Sequence, residues 1–167
     1  LTLDNIIFTD GGFNSATLIA TDLIGTNLSG ADLSGANLSG AQLNNADLSG
    51  ADLTNANLTN SVLNSADLTN TTLTNATMTN ASVTSATLTN TVFTDATLTG
   101  AKFSGSSIDL TSANLSSDDL TDTDLNGGNL TNADLSGANL TNAILIDATL
   151  IDADLSGANL SGADLSG

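Results

Sequence analysis

The sequence has no cysteine, proline, histidine, tryptophan, tyrosine or glutamate. Without cysteine there are no disulfides and no thiolate chemistry, which leaves the compartment open. Lys102 alone is basic against eighteen aspartates, for a formal net charge of −17. That charge excludes direct contact with nucleic acid or an anionic membrane face, since both are polyanions. It favours a basic protein surface as partner. No run of eighteen apolar residues exists, so membrane insertion by a helix is not expected. A basic segment followed by an apolar one is also lacking, so no signal peptide is expected. High charge with 2% aromatics can mark disorder, but 40% of the residues are hydrophobic and evenly placed, which argues for a folded chain.

What is present is a period of five. Apolar residues stand at Leu3, Phe8, Phe13, Leu18, Leu23 and Leu28, and the series continues through Met78, Val83, Leu88, Phe93, Leu98 and Phe103 to Ile108. It resumes out of phase at Leu110 and Leu115 and runs to Leu165, making thirty-three units with Ile108 and Leu110 counted as one corner. On an α-helix a step of five rotates each side chain by roughly 140°, so no face persists. On a continuous strand an odd period throws successive leucines to opposite faces. A corner after every unit returns each leucine inward, and Ser, Thr, Asn and Gly occupy the last two positions as corner formers. By two-residue alternation, Ala two before the leucine shares its inward side, while Asp or Asn one before points out. Ala fits because a larger group would collide with the next coil. The core so built is long and one or two side chains wide.

Tandem Ala-(Asp/Asn)-Leu-x-x, as in the ADLSG and ANLSG units of residues 31–40, resembles the pentapeptide-repeat proteins, which are abundant in cyanobacteria; the match covers residues 3–167. The resemblance implies an all-β fold, a right-handed quadrilateral parallel β-helix with four units per coil. Thirty-three units then give about eight coils, ~40 Å long at strand spacing. Residues 1–167 are expected to form one solenoid domain. With the first residue Leu1 rather than methionine, the likeness favours a periplasmic or thylakoid-lumen address slightly over the cytoplasm. An open final coil raises an end-to-end homodimer as a further expectation.

Specificity should lie in departures from the repeat. The register slips by two residues at about 106–112, as a bulge or short protruding turn. Asp109 within it and Asp118, Asp119, Asp122 and Asp124 just after it form the densest acid cluster and the candidate partner contact. Asp122, Asp124 and Asn126 match the opening of a calcium loop, yet its twelfth position is Ala133 where a bidentate carboxylate is needed, so no metal is expected. Residues 69–99 hold thirteen threonines, among them Thr77/Thr79 and Thr97/Thr99 as outward pairs; an ice-binding surface is a minor reading beside plain strand preference. Ile144, Ile146 and Ile151 should face out and are candidates for self-association. Ile6 takes a usual Ala place and gives the first coil a bulkier start.

Catalysis is not expected. Acid–base chemistry at neutral pH calls for His, Cys, Tyr or an environment that retunes a carboxylate, and outward aspartates on a convex rod lack one. No catalytic residue and no cofactor is assigned. Some pentapeptide-repeat proteins mimic duplex DNA and bind DNA gyrase. Here −17 over ~40 Å is about one charge per 2.4 Å, against one per ~1.7 Å for DNA. The charge-free threonine belt and the lack of a long loop weigh against that alternative. The reading adopted is a rigid, acidic, non-enzymatic scaffold that holds protein partners.

Overall fold

The computed structural model describes residues 2, 3, 5–103 and 110–167. Its construction follows from where one unit sends its five amides. In residues 51–55, Ala51 N–H donates to the Leu48 carbonyl at 2.9 Å and closes the corner. Asp52 N–H reaches the Ala31 carbonyl of the previous coil at 2.9 Å, while Leu53 and Asn55 donate to Thr72 and Thr74 of the next at 2.7 and 2.9 Å. The fifth amide, Thr54 N–H, donates to Oδ1 of Asp52 at 2.9 Å. All five donors are satisfied, as a closely packed backbone requires. The outer Asp or Asn is therefore a backbone acceptor as well as a surface group.

Outer residues form parallel bridges at a spacing of twenty, as in Asp32↔Asp52↔Thr72 and Asn37↔Asn57↔Thr77. Four units thus separate stacked partners. Across the register break the spacing becomes 22, in Val92↔Asn114, Thr97↔Asp119 and Lys102↔Asp124, and returns to 20 from Asn114↔Asp134 onward. Two additional residues are thus taken up between Phe103 and Leu110. Residues 104–109 lie outside the described residues, and with them residues 106–109 of the expected bulge, Asp109 among them.

The core is continuous. From Leu23 to Leu145 every described residue of the five-residue series is buried, with Ala beside it at most inner corners. Phe93 and Phe103 meet edge to face at 6.0 Å inside it. At the first coil Phe8 and Phe13 pack edge to face at 5.1 Å, half-buried, and Ile6 is partly exposed.

The corner residue lies in the left-handed region. Glycine meets this at Gly30 (φ 66°), but most corners use Asn, Ser or Asp, such as Asn55 (φ 60°) and Asp122 (φ 57°). Short polar side chains tolerate that conformation by bonding locally. Ala20 (φ 50°) has no such compensation.

Candidate interaction surface

Outer side chains stand in columns fixed by the bridges, and the columns differ in charge. Gly12, Asp32, Asp52, Thr72, Val92, Asn114, Asp134 and Asp154 form one column, with four acids. Another runs Thr17, Asn37, Asn57, Thr77, Thr97, Asp119, Asn139 and Asn159, with one acid. One side of the rod is thus almost neutral, a difference that linear charge density cannot show.

Most outer aspartates cap their own turn. Oδ1 of Asp32 accepts Ser34 N–H at 3.0 Å and its hydroxyl at 2.6 Å. These bonds favour the charged carboxylate, so Asp32 is held below the ordinary aspartate range by the Ser34 hydroxyl first and its amide second. Asp154 and Asp164 are lowered by equivalent bonds from Ser156 and Ser166.

The five acids of the expected partner contact do not share one environment. Asp119 faces outward and accepts Thr121 Oγ1 at 2.7 Å and, through Oδ2, Thr99 Oγ1 at 2.8 Å. Partial burial pushes its carboxyl up, and the bonds from Thr121, Thr99 and Asn139 outweigh this, leaving it lowered. Asp122 is an exposed corner residue whose Oδ1 accepts Asn142 Nδ2 at 3.2 Å. Asp124 lies on the next face, bridged to Lys102, so the one strong cation stands within the acid group.

Asp118 corrects the expectation. It is fully buried and unavailable to a partner, because it stands two before Leu120, at the inner corner that Ala occupies elsewhere. The period alone carried this signal: Asp118 falls at the inward place of its unit. Its Oδ1 accepts Ala96 N–H at 2.9 Å, whereas Oδ2 is buried with no hydrogen-bond partner. Desolvation pushes the carboxyl up to about 8, with the negative charge of Asp95 adding to the rise against the Ala96 bond. Threonines at the same inner position fare better: Thr71 and Thr91 donate to the Leu48 and Leu68 carbonyls at 2.8 and 2.9 Å.

Asp122, Asp124 and Asn126 form a corner and wall of the helix rather than a loop, with Leu125 buried between them and Asp124 Oδ1 accepting Asn126 N–H at 3.1 Å. Among the described residues no three carboxylates gather as metal ligands. Thr77 and Thr97 stack between Asn57 and Asp119, so the threonine array in that column is two ranks deep. Ile151 and Ile144 are exposed, at 62% and 37%, while Ile146 is half-buried. Ile7 and Ile19, at 74% and 54%, expose comparable apolar surface near the first coil. Among the described residues no helix is long and apolar enough to cross a membrane.

The pentapeptide-repeat family matches the chain in 8 copies, over residues 13–50, 41–80, 51–90, 78–116 and 129–167. No curated protein matches it in sequence. Among solved structures, HetL, a pentapeptide-repeat protein involved in heterocyst differentiation regulation in the cyanobacterium Nostoc sp. strain PCC 7120, is 31% identical. The match covers 98% of this chain and 84% of HetL, with a TM-score of 0.51. A trypsin-treated form of QnrB1, a plasmid-mediated fluoroquinolone resistance protein, is 21% identical over 98% of this chain and 90% of its own, with a TM-score of 0.53. The bridged columns, the buried Ala and Leu positions and these matches lead to one conclusion: the chain belongs to the pentapeptide-repeat family, whose members fold as right-handed β-helices.

Proposed function

We propose that the chain is a non-enzymatic, acidic scaffold, a single solenoid domain of about eight coils that holds a protein partner with a basic surface. The observation that carries this reading is the set of fixed outer columns on a continuous apolar core. Side chains in such columns keep constant spacing, so a partner meets a pre-ordered surface and loses little entropy in ordering it. Asp32, Asp119, Asp154 and Asp164 are engaged with their own turns and held ionised, which suits charge display rather than proton transfer. HetL, with its regulatory involvement, supports an interaction role. Asp119, Asp122 and Asp124, with Asp109, are the proposed contact, and Ile144, Ile146 and Ile151 a proposed self-association patch.

The test is binding of an oligolysine peptide across a salt series. Replacing Asp119, Asp122 and Asp124 together by Asn should weaken binding at least tenfold, and replacing Asp32, Asp52 and Asp154 should weaken it much less. Equal losses from the two triple variants would reduce the site to net charge alone.

A gyrase supercoiling assay addresses the second reading, DNA mimicry, which the charge density favours. The nearly neutral column from Thr17 to Asn159 counts against a surface that is acidic all round. Inhibition that fades steeply with salt would make mimicry the better description. Indifference at micromolar protein would eliminate it.

A further inference from the structure

The buried carboxyl of Asp118 sits at a seam several of whose inter-coil bonds are longer than their counterparts. Asp119 N–H to Ala96 O is 3.3 Å, against 2.9 Å for the equivalent bond one coil on, Asn139 to Asp118. Asp124 N–H to Ala101 O is 3.1 Å, against 2.9 Å for Ile144 to Thr123. Phe93 N–H to Asn114 O is 3.0 Å, against 2.6 Å for Leu73 to Val92 in the coil before. The same seam follows the two-residue insertion, where stacked partners lie 22 apart. A carboxyl at an Ala position is the larger group expected to hold two coils apart.

We propose that opening of this seam, between residues 92–103 and 113–124, is coupled to release of a proton from Asp118. The rod then has one joint that is tight in acid and loosens toward neutral pH. Closed, Asp118 is dry, with one oxygen on the Ala96 amide and the other unpartnered. No cation faces it. Asp95, beside Ala96 in the coil below, adds negative charge, and Gly137, Ala138 and Asn139 above are uncharged. On its own coil Asp119 points outward to Thr99 and Thr121, Asp122 is an exposed corner, and Lys102 stands on another face bridged to Asp124. The closed seam therefore favours the neutral acid. In the open seam water reaches the carboxyl, which loses its proton to solvent at an ordinary aspartate pKa near 3.9.

The sign follows from proton counting. Above the open-state pKa the closed form binds one proton more, so closure weakens as pH rises and levels off once the closed form itself ionises, at about 8. Between those limits the opening equilibrium should rise by about tenfold per pH unit.

Amide hydrogen exchange on the intact chain, corrected for the intrinsic pH dependence of exchange, reads this directly. Protection at Leu98 and Asp119, which donate across the seam, should fall about tenfold per pH unit from pH 5 to 8. Protection at Leu53 and Leu58 should hold constant. Asp118→Ala, which restores the common inner residue, and Asp118→Asn, which keeps the shape, should both abolish the slope at Leu98 and Asp119. A flat wild-type profile at the seam, a slope that survives in both variants, or an equal loss along the whole rod would each overturn the proposal.

Discussion

The backbone amide of Ala96 is shared between the Phe93 carbonyl, 2.7 Å away, and Oδ1 of Asp118, 2.9 Å away. One side chain thus joins two successive coils at a place where the repeat calls for a methyl group. This contact is weak compensation for burying a carboxyl whose second oxygen has no partner.

Asp118→Ala should stabilise the protein at pH 7. Holding the acid neutral with its carboxyl up to about 8, against an unfolded value of 3.8, costs on the order of 4 kcal/mol at that pH. Loss of the Ala96 contact returns about 1 kcal/mol, which leaves a gain of about 3 kcal/mol. Urea midpoints of the two proteins at pH 4 and pH 7 check this, with the difference confined to pH 7.

Stability on the acid side has the opposite sign. Asp32, Asp154 and Asp164 are lowered by their turn bonds, so their contribution is present above the unfolded value of 3.8 and is lost as pH falls toward the folded ones. Asp32→Asn keeps an acceptor for Ser34 and removes the titration. Its thermal midpoint should therefore fall less than that of the wild type between pH 5 and 2.

Ala20→Gly should raise stability by about 1 kcal/mol, the approximate cost of a Cβ in the left-handed region. Asn, the common occupant of this corner, should recover part of it. Thermal unfolding of both variants measures the effect, and an Ala20→Gly variant less stable than wild type would contradict the corner argument.

Thr71 separates shape from hydrogen bonding. Its hydroxyl donates to Leu48 O, which also accepts Ala51 N–H at 2.9 Å, so Thr71→Ala leaves no carbonyl orphaned. That variant should lie within about 1 kcal/mol of wild type. Thr71→Val sets a methyl against the same carbonyl and should cost about 1–2 kcal/mol. Chemical denaturation distinguishes the two.

Leu73→Ala, at full burial in the middle of the core, should cost about 3–4 kcal/mol. At Leu155, half-buried in the last coil, the same change should cost less than half as much. Equal costs would mean that the end coil is as tightly packed as the centre.

The core was legible because every unit repeats one choice: a leucine inward, a small residue beside it, a polar residue between. The inward place of Asp118 was legible too, two before Leu120, yet composition drew it into an acid cluster with Asp119, Asp122 and Asp124. A residue's neighbours in sequence say how much charge is near it, whereas its phase in the repeat says which side of the wall it faces. For Asp118 the phase governs, because a one-position difference reverses the direction of the side chain.

The sequence by itself determined the period, the corner after each unit, the inward leucines and the excess of negative charge. Only the stacking of coils decided which outer residues share a column, because the bridges join positions twenty or twenty-two apart. Stacking also left the column from Thr17 to Asn159 nearly neutral and enclosed Asp118 between Ala96 and Ala138. The physical reason is common to both. Local pattern sets the direction of a side chain, but burial, bonding and charge depend on what lies above and below it, and in a solenoid those neighbours come from the next coil.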